Sequence, residues 1–100
     1  MKKILGLLFV AFFILACGGK TDKKVASIDA KKLFKVNCMI CHGADGKLGA
    51  NGSKDLTKSP MTLDDRIAII TNGKNAMTPY KGILSEDEIK AVAAYTFQLK

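Results

Sequence analysis

The sequence is poor in metal-ligating side chains. It holds a single histidine, His42, and three cysteines, Cys17, Cys38 and Cys41. A structural zinc site is normally closed by four protein ligands, so a zinc centre here would need carboxylates to complete it, and no second ligand pair is visible. Long hydrophobic runs are also missing. The longest, Ile4 to Ala16, is about 13 residues, short of the roughly 20 needed to cross a bilayer as a helix. Acidic residues are few: 9 Asp and Glu against 16 Lys and Arg, a formal charge of +7. The excess is scattered lysine rather than a basic stripe, which excludes a nucleic-acid binder. It suits an acidic protein partner or an anionic membrane surface. At 100 residues the chain makes one small domain, with a limited core that calls for a staple.

The N-terminus has the layout of an export signal. Met1-Lys2-Lys3 is basic, Ile4 to Ala16 is apolar, and Ile14-Leu15-Ala16-Cys17-Gly18 resembles a bacterial lipobox. Small Ala16 precedes the expected cleavage, and Cys17 becomes the lipidated first residue; Ile14 stands where leucine is commoner. The competing readings are an ordinary secretory signal, with Cys17 an incidental thiol, and an uncleaved anchor. On the lipoprotein reading residues 1–16 are removed and residues 17–27 form a polar tether carrying Lys20, Lys23 and Lys24. Ten such residues reach about 18 Å as a flexible coil. Acyl chains would then anchor the protein on the periplasmic, extracytoplasmic face of a bacterial membrane without a spanning helix.

Cys38-Met39-Ile40-Cys41-His42 is the stretch that organises the remainder. Two thiols three residues apart, with an imidazole directly after the second, form the attachment pattern of c-type haem. On a helical turn positions i and i+3 share a face, so Cys38 and Cys41 can each add to one vinyl group of the same porphyrin. His42 then lies where a ring nitrogen can bind iron axially. A thioredoxin-like dithiol would place the motif in a strand–helix context that is missing here. Export agrees with haem, since bacteria attach c-type haem outside the cytoplasm. Lipidation would also remove Cys17 as a competing disulfide partner.

The domain is expected over residues 28–100. A first helix begins near Ile28 with Ser27 as its cap. Leu33, Phe34, Asn37, Cys38 and Cys41 lie near one face, with Lys31, Lys32 and Lys35 opposite. This puts the motif at the C-terminal end of one amphipathic helix, stopped by Gly43. Residues 44–60 are loop-like and must supply a backbone acceptor for the second nitrogen of His42. Thr62 and Asp65 form a capping box for a second helix that ends at Asn72-Gly73, with Ile67 and Ile70 facing the haem. Gly73 to Gly82 is a loop holding Met77. Its thioether is the expected second axial ligand, because it sits in a Gly/Pro-bounded loop with chain enough after His42 to wrap the haem. Met61 is the rival, and Met39 sits inside the attachment turn. Ser85-Glu86-Asp87-Glu88 caps a last helix that turns Ile89, Val92, Ala93, Tyr95, Thr96 and Leu99 inward, with Tyr95 or Phe97 against Phe34.

Taken together, Cys38-Met39-Ile40-Cys41-His42-Gly43, Asn72-Gly73-Lys74-Asn75-Ala76-Met77 and Leu84-Ser85-Glu86-Asp87-Glu88-Ile89 resemble the class I monohaem cytochromes c of the small bacterial c551/c553 kind. The resemblance covers Ser27 to Lys100. It implies an all-α fold of about three to four helices wrapped around one haem c, with first and last helices crossing. It also implies thioether attachment at Cys38 and Cys41 and axial ligation by His42 and Met77. Two positions depart from the family pattern: Thr78 separates Met77 from Pro79, and no proline follows the motif between Ala44 and Ser59. A six-coordinate iron has no vacant site, so the implied role is a monomeric electron carrier of a respiratory chain rather than an enzyme. Its partners would be an oxidase or reductase with an acidic docking surface, met by Lys47, Lys54, Lys58, Lys74 and Lys81. The alternatives are a five-coordinate haem sensor or peroxide-handling protein, and a fixed subunit of a larger respiratory complex.

Overall fold

The computed structural model describes residues 27–100, and among these residues it has four helices and two single 3-10 turns. The expected export signal, the lipidation at Cys17 and all but the last residue of the tether lie outside the described residues. Helix α1 spans Ala30–Asn37, and Asp29 caps it by accepting from the Lys32 amide at 3.0 Å. This corrects the expected start at Ser27 and Ile28. A carboxylate three residues before an orphan amide is favoured by both hydrogen bonding and the helix dipole.

The attachment motif does not continue α1. Cys38 is a turn residue whose φ, −114°, is stretched beyond the usual helical value while its backbone stays in the right-handed region, and Met39–His42 forms a separate short helix, α2. The ladder nonetheless bridges the break. The Cys38 amide donates to Phe34 O at 2.8 Å, and the His42 amide to Cys38 O at 3.0 Å. Gly43, at φ +79°, then turns the chain away. A side chain there would put its Cβ 2.8 Å from that of Leu48, so glycine is required by space as well as by angle.

Helix α3, Leu63–Asn72, and helix α4, Glu86–Tyr95, begin where the capping boxes place them. Thr62 Oγ1 accepts from the Asp65 amide while Asp65 accepts from the Thr62 amide, both at 3.2 Å. Ser85 and Glu88 make the same reciprocal pair at 3.1 and 2.9 Å. Three acids, Glu86, Asp87 and Glu88, occupy the first turn of α4, the end where the helix dipole is positive. The stretch between α2 and α3 is irregular except for one 3-10 turn, Ala50–Gly52.

Helix α4 packs against both α1 and α3. The buried core is Phe34 from α1, Ile70 from α3, and Ile89, Val92 and Ala93 from α4. Val92 and Ala93 have no exposure at all; a small Ala93 side chain suits close packing of neighbouring helices. Of the two candidate partners for Phe34, the structure selects Tyr95, with ring centroids 5.4 Å apart and planes tilted by 53°. Phe97 is exposed instead, under the Arg66 guanidinium at 3.9 Å from its ring centroid.

Arg66 is buried although charged. It donates from Nε to Met61 O, from one terminal nitrogen to Ser59 O and from the other to Thr96 Oγ1, at 3.2, 3.1 and 2.8 Å. Thr96 in turn donates to Ala93 O at 2.6 Å. One guanidinium thus ties the segment entering α3 to the 3-10 turn, Thr96–Gln98, that follows α4. Desolvation, which disfavours its charge, is offset by three hydrogen bonds and a ring face.

Candidate haem-binding site

The two thiols are set by the α1–α2 junction. Cys38 stands at the break and packs against the core, and Cys41 lies one turn on in α2; both are half-buried and unpaired. Burial, reinforced by neighbouring Cys41, pushes the Cys38 thiol up to about 11. Burial there keeps the free thiol protonated over the ordinary pH range. Among the described residues no three His, Cys, Asp or Glu side chains gather as a metal site. The closed zinc alternative therefore has no ligand set there.

His42 is the last residue of α2. Its Nδ1 lies 3.2 Å from the carbonyl oxygen of Lys54. A carbonyl can only accept, so Nδ1 carries the proton and the Nε2 lone pair is left for a metal. This is the backbone acceptor that residues 44–60 were expected to supply. The loop that presents it is well tied. Ser53 donates from its amide and hydroxyl to Ala50 O, at 3.0 and 2.6 Å, and Leu56 donates to Gly46 O at 2.9 Å. Leu48 closes the near end by donating to His42 O at 2.9 Å. Asn51, itself in left-handed geometry at φ 55°, directs its amide to Cys41 Sγ at 3.8 Å.

Met77 sits where the Gly73 turn brings it back. Gly73 has φ +72°, and a Cβ there would lie 2.6 Å from Met77 O and 2.8 Å from Pro79 N. The Met77 amide donates to Lys74 O at 2.9 Å, and the residue packs half-buried against the core. Met61 is half-buried too, but it is not among the side chains packed on that core, and Arg66 holds its carbonyl. Met39 opens α2.

Tyr80 joins the methionine loop to the attachment turn. Its hydroxyl donates to Asn37 O at 2.8 Å, one residue before Cys38, while its amide donates to Ile70 O at 2.8 Å. Burial raises its phenol above the ordinary value, and the charges of Cys38 and Cys41 add to that. Met77, Tyr80, Leu84, Ile67 and Cys38 all pack on the same core cluster. The structure therefore brings the thiol end of the site and the methionine loop to one apolar centre. Ile70 is buried in it and Ile67 half-buried beside it. The side chains fit a haem: two free thiols, an imidazole with its outer nitrogen satisfied, and a thioether on apolar packing.

Sequence reasoning missed three supporting groups: the Lys54 carbonyl, the Tyr80 hydroxyl and buried Arg66. The first has no side-chain signature. Tyr80, directly after Pro79 in a loop, was open to recognition as an anchor.

Residues 27–95 match the family described as cytochrome C oxidase, cbb3-type, subunit III. The chain is 35% identical over 102 residues to cytochrome c6 of Nostoc sp. strain PCC 7120, covering 95% of this chain and 91% of that protein. A cytochrome c6-like protein of the same organism is 36% identical over 104 residues, covering 98% and 94%. Cytochrome c6 of Leptolyngbya boryana is 41% identical over 70 residues, 64% of this chain and 81% of that protein.

Proposed function

The chain belongs to the class I monohaem cytochromes c, and we propose that it is a carrier of single electrons in a respiratory chain, tethered to a membrane through its lipobox-like N-terminus. It is an electron carrier with one covalently bound haem c and works between redox partners. The finer reading assigns roles to its residues. Cys38 and Cys41 would hold the haem through thioethers, and His42 Nε2 and the Met77 sulfur would supply the ligands to its iron. The observation that carries this is the His42–Lys54 hydrogen bond, which fixes the tautomer able to ligate.

Haem iron supplies the one-electron couple. The remaining work is done by the chain. The Lys54 carbonyl orients the imidazole and makes it a stronger donor. Tyr80 and Gly73 hold the Met77 loop in place, and a thioether ligand favours the ferrous state. Ile67, Ile70 and Leu84 keep water from the centre. With His42 and Met77 both serving as iron ligands, the site would suit the carriage of electrons rather than the binding of a substrate. Lys47, Lys54, Lys58, Lys74 and Lys81 are exposed and offer positive charge to an acidic partner.

Export, cleavage before Cys17 and acylation of that cysteine complete the reading, placing a monomeric domain on an extracytoplasmic membrane face. Among the described residues no helix is long and apolar enough to cross a membrane. A fixed oxidase subunit is the second reading, favoured by the family description. The near-complete mutual coverage with the cytochromes c6 favours the free-standing carrier. Mass spectrometry of the native protein tests the proposal. The expected product begins at an acylated Cys17 and carries one haem on the Cys38–His42 peptide. An unmodified N-terminus removes the tether; co-purification in mild detergent with a stoichiometric oxidase favours the subunit.

A further inference from the structure

We propose that Asp55 is a positioning residue for the iron ligand: its carboxylate locks the turn that aims the Lys54 carbonyl at His42. The family's usual proline is missing from residues 44–59, so the acceptor for His42 comes from a lysine peptide in an irregular loop. Nothing in the covalent geometry of Lys54 stiffens that peptide. The residue after it does. Asp55 Oδ1 accepts from the Thr57 amide at 2.9 Å and from the Thr57 hydroxyl at 2.6 Å. The Lys58 amide adds a bond to Asp55 O at 3.3 Å. An aspartate bonding the backbone two residues on forms a side-chain-closed turn.

The lock is anchored on both flanks. Leu56 is bound to Gly46 O at 2.9 Å and packs against the core, and on the other side Ser53 is bound twice to Ala50 O. Lys54 and Asp55 are the two residues between these anchors, and the Asp55 carboxylate closes the turn they enter. Its loss leaves the Lys54 peptide free to rotate and to weaken the bond to Nδ1. A weaker acceptor makes the imidazole a poorer donor, which favours ferrous over ferric iron.

This inference rests on His42 being the axial ligand. The test compares four haem-loaded variants by redox potentiometry and by solvent exchange of the His42 Nδ1 proton in NMR. Asp55→Ala is expected to raise the midpoint potential and speed the exchange. Asp55→Asn, which keeps an accepting Oδ1, is expected to restore both toward the parent. Asp65→Ala, which removes the α3 capping carboxylate, controls for a general loss of stability and should leave both readouts unchanged. An Asp55→Ala protein with parental potential and parental exchange overturns the proposal, as does an equal shift in Asp65→Ala. His42→Ala separates the two failures: if its low-spin spectrum survives, the ligand reading itself is wrong.

Discussion

Tyr80→Phe removes one hydroxyl and with it the bond to Asn37 O. The ring stays on the core, so the loss is that of a single partly buried hydrogen bond, about 1 kcal/mol. Denaturant titration of the haem-loaded protein should show that drop, together with weaker methionine ligation. Asp55 makes stability depend on pH. The Thr57 hydroxyl, its amide and the charges of Lys58 and Lys47 hold the carboxyl below its ordinary value, against an opposing effect of burial. A group more acidic when folded than unfolded contributes stability above its unfolded range and loses it as pH falls through the folded value. Acid titration of stability should therefore show a shallower decline in Asp55→Asn than in the parent. At this scale the candidate ligands could be proposed from the sequence, because Cys38, Cys41 and His42 are singled out by their spacing. The Lys54 carbonyl was not, since every residue offers the same acceptor and only the fold selects one. Arg66 was equally opaque, because its position on α3 reads like that of any charged residue beside isoleucines.

Among the elements, the helix starts were readable and the junctions were not. Thr62 and Ser85 each meet a carboxylate three residues later, and both boxes close as expected. Ser85→Ala should cost about 1 kcal/mol of stability, measurable as a lower thermal midpoint. By contrast, the periodicity of Leu33, Phe34, Asn37 and Cys41 runs straight through a break at Cys38 that carries no sequence mark. The first helix also begins later than expected, because Asp29 rather than Ser27 supplies its cap by accepting from the Lys32 amide. Gly73 is the strictest element boundary. Alanine there would need left-handed backbone and would press on Met77 O and Pro79 N. The angle alone costs roughly 1–2 kcal/mol, and the contact adds to it. Gly73→Ala should therefore loosen the methionine loop, seen as a loss of low-spin character in the ferric absorption spectrum.

At the scale of the molecule, the core is thin. Five apolar residues are buried among the described residues, few for a domain of this size, and many small domains depend on a covalent or metal staple. Replacing both Cys38 and Cys41 with alanine should leave a chain with little cooperative unfolding, followed by circular dichroism on heating. The +7 charge also acts at this scale. Electron transfer to an acidic partner should slow as salt is added, because screening weakens steering between exposed charges. A rate indifferent to ionic strength would remove the lysine surface from the docking reaction.

The near-infrared magnetic circular dichroism of the ferric protein tests most directly whether His42 and Met77 hold the iron between them. Histidine–methionine ligation predicts one low-spin charge-transfer band, lost on Met77→Ala and kept on Met61→Ala. A high-spin ferric spectrum, or a band that survives the loss of Met77, would contradict it.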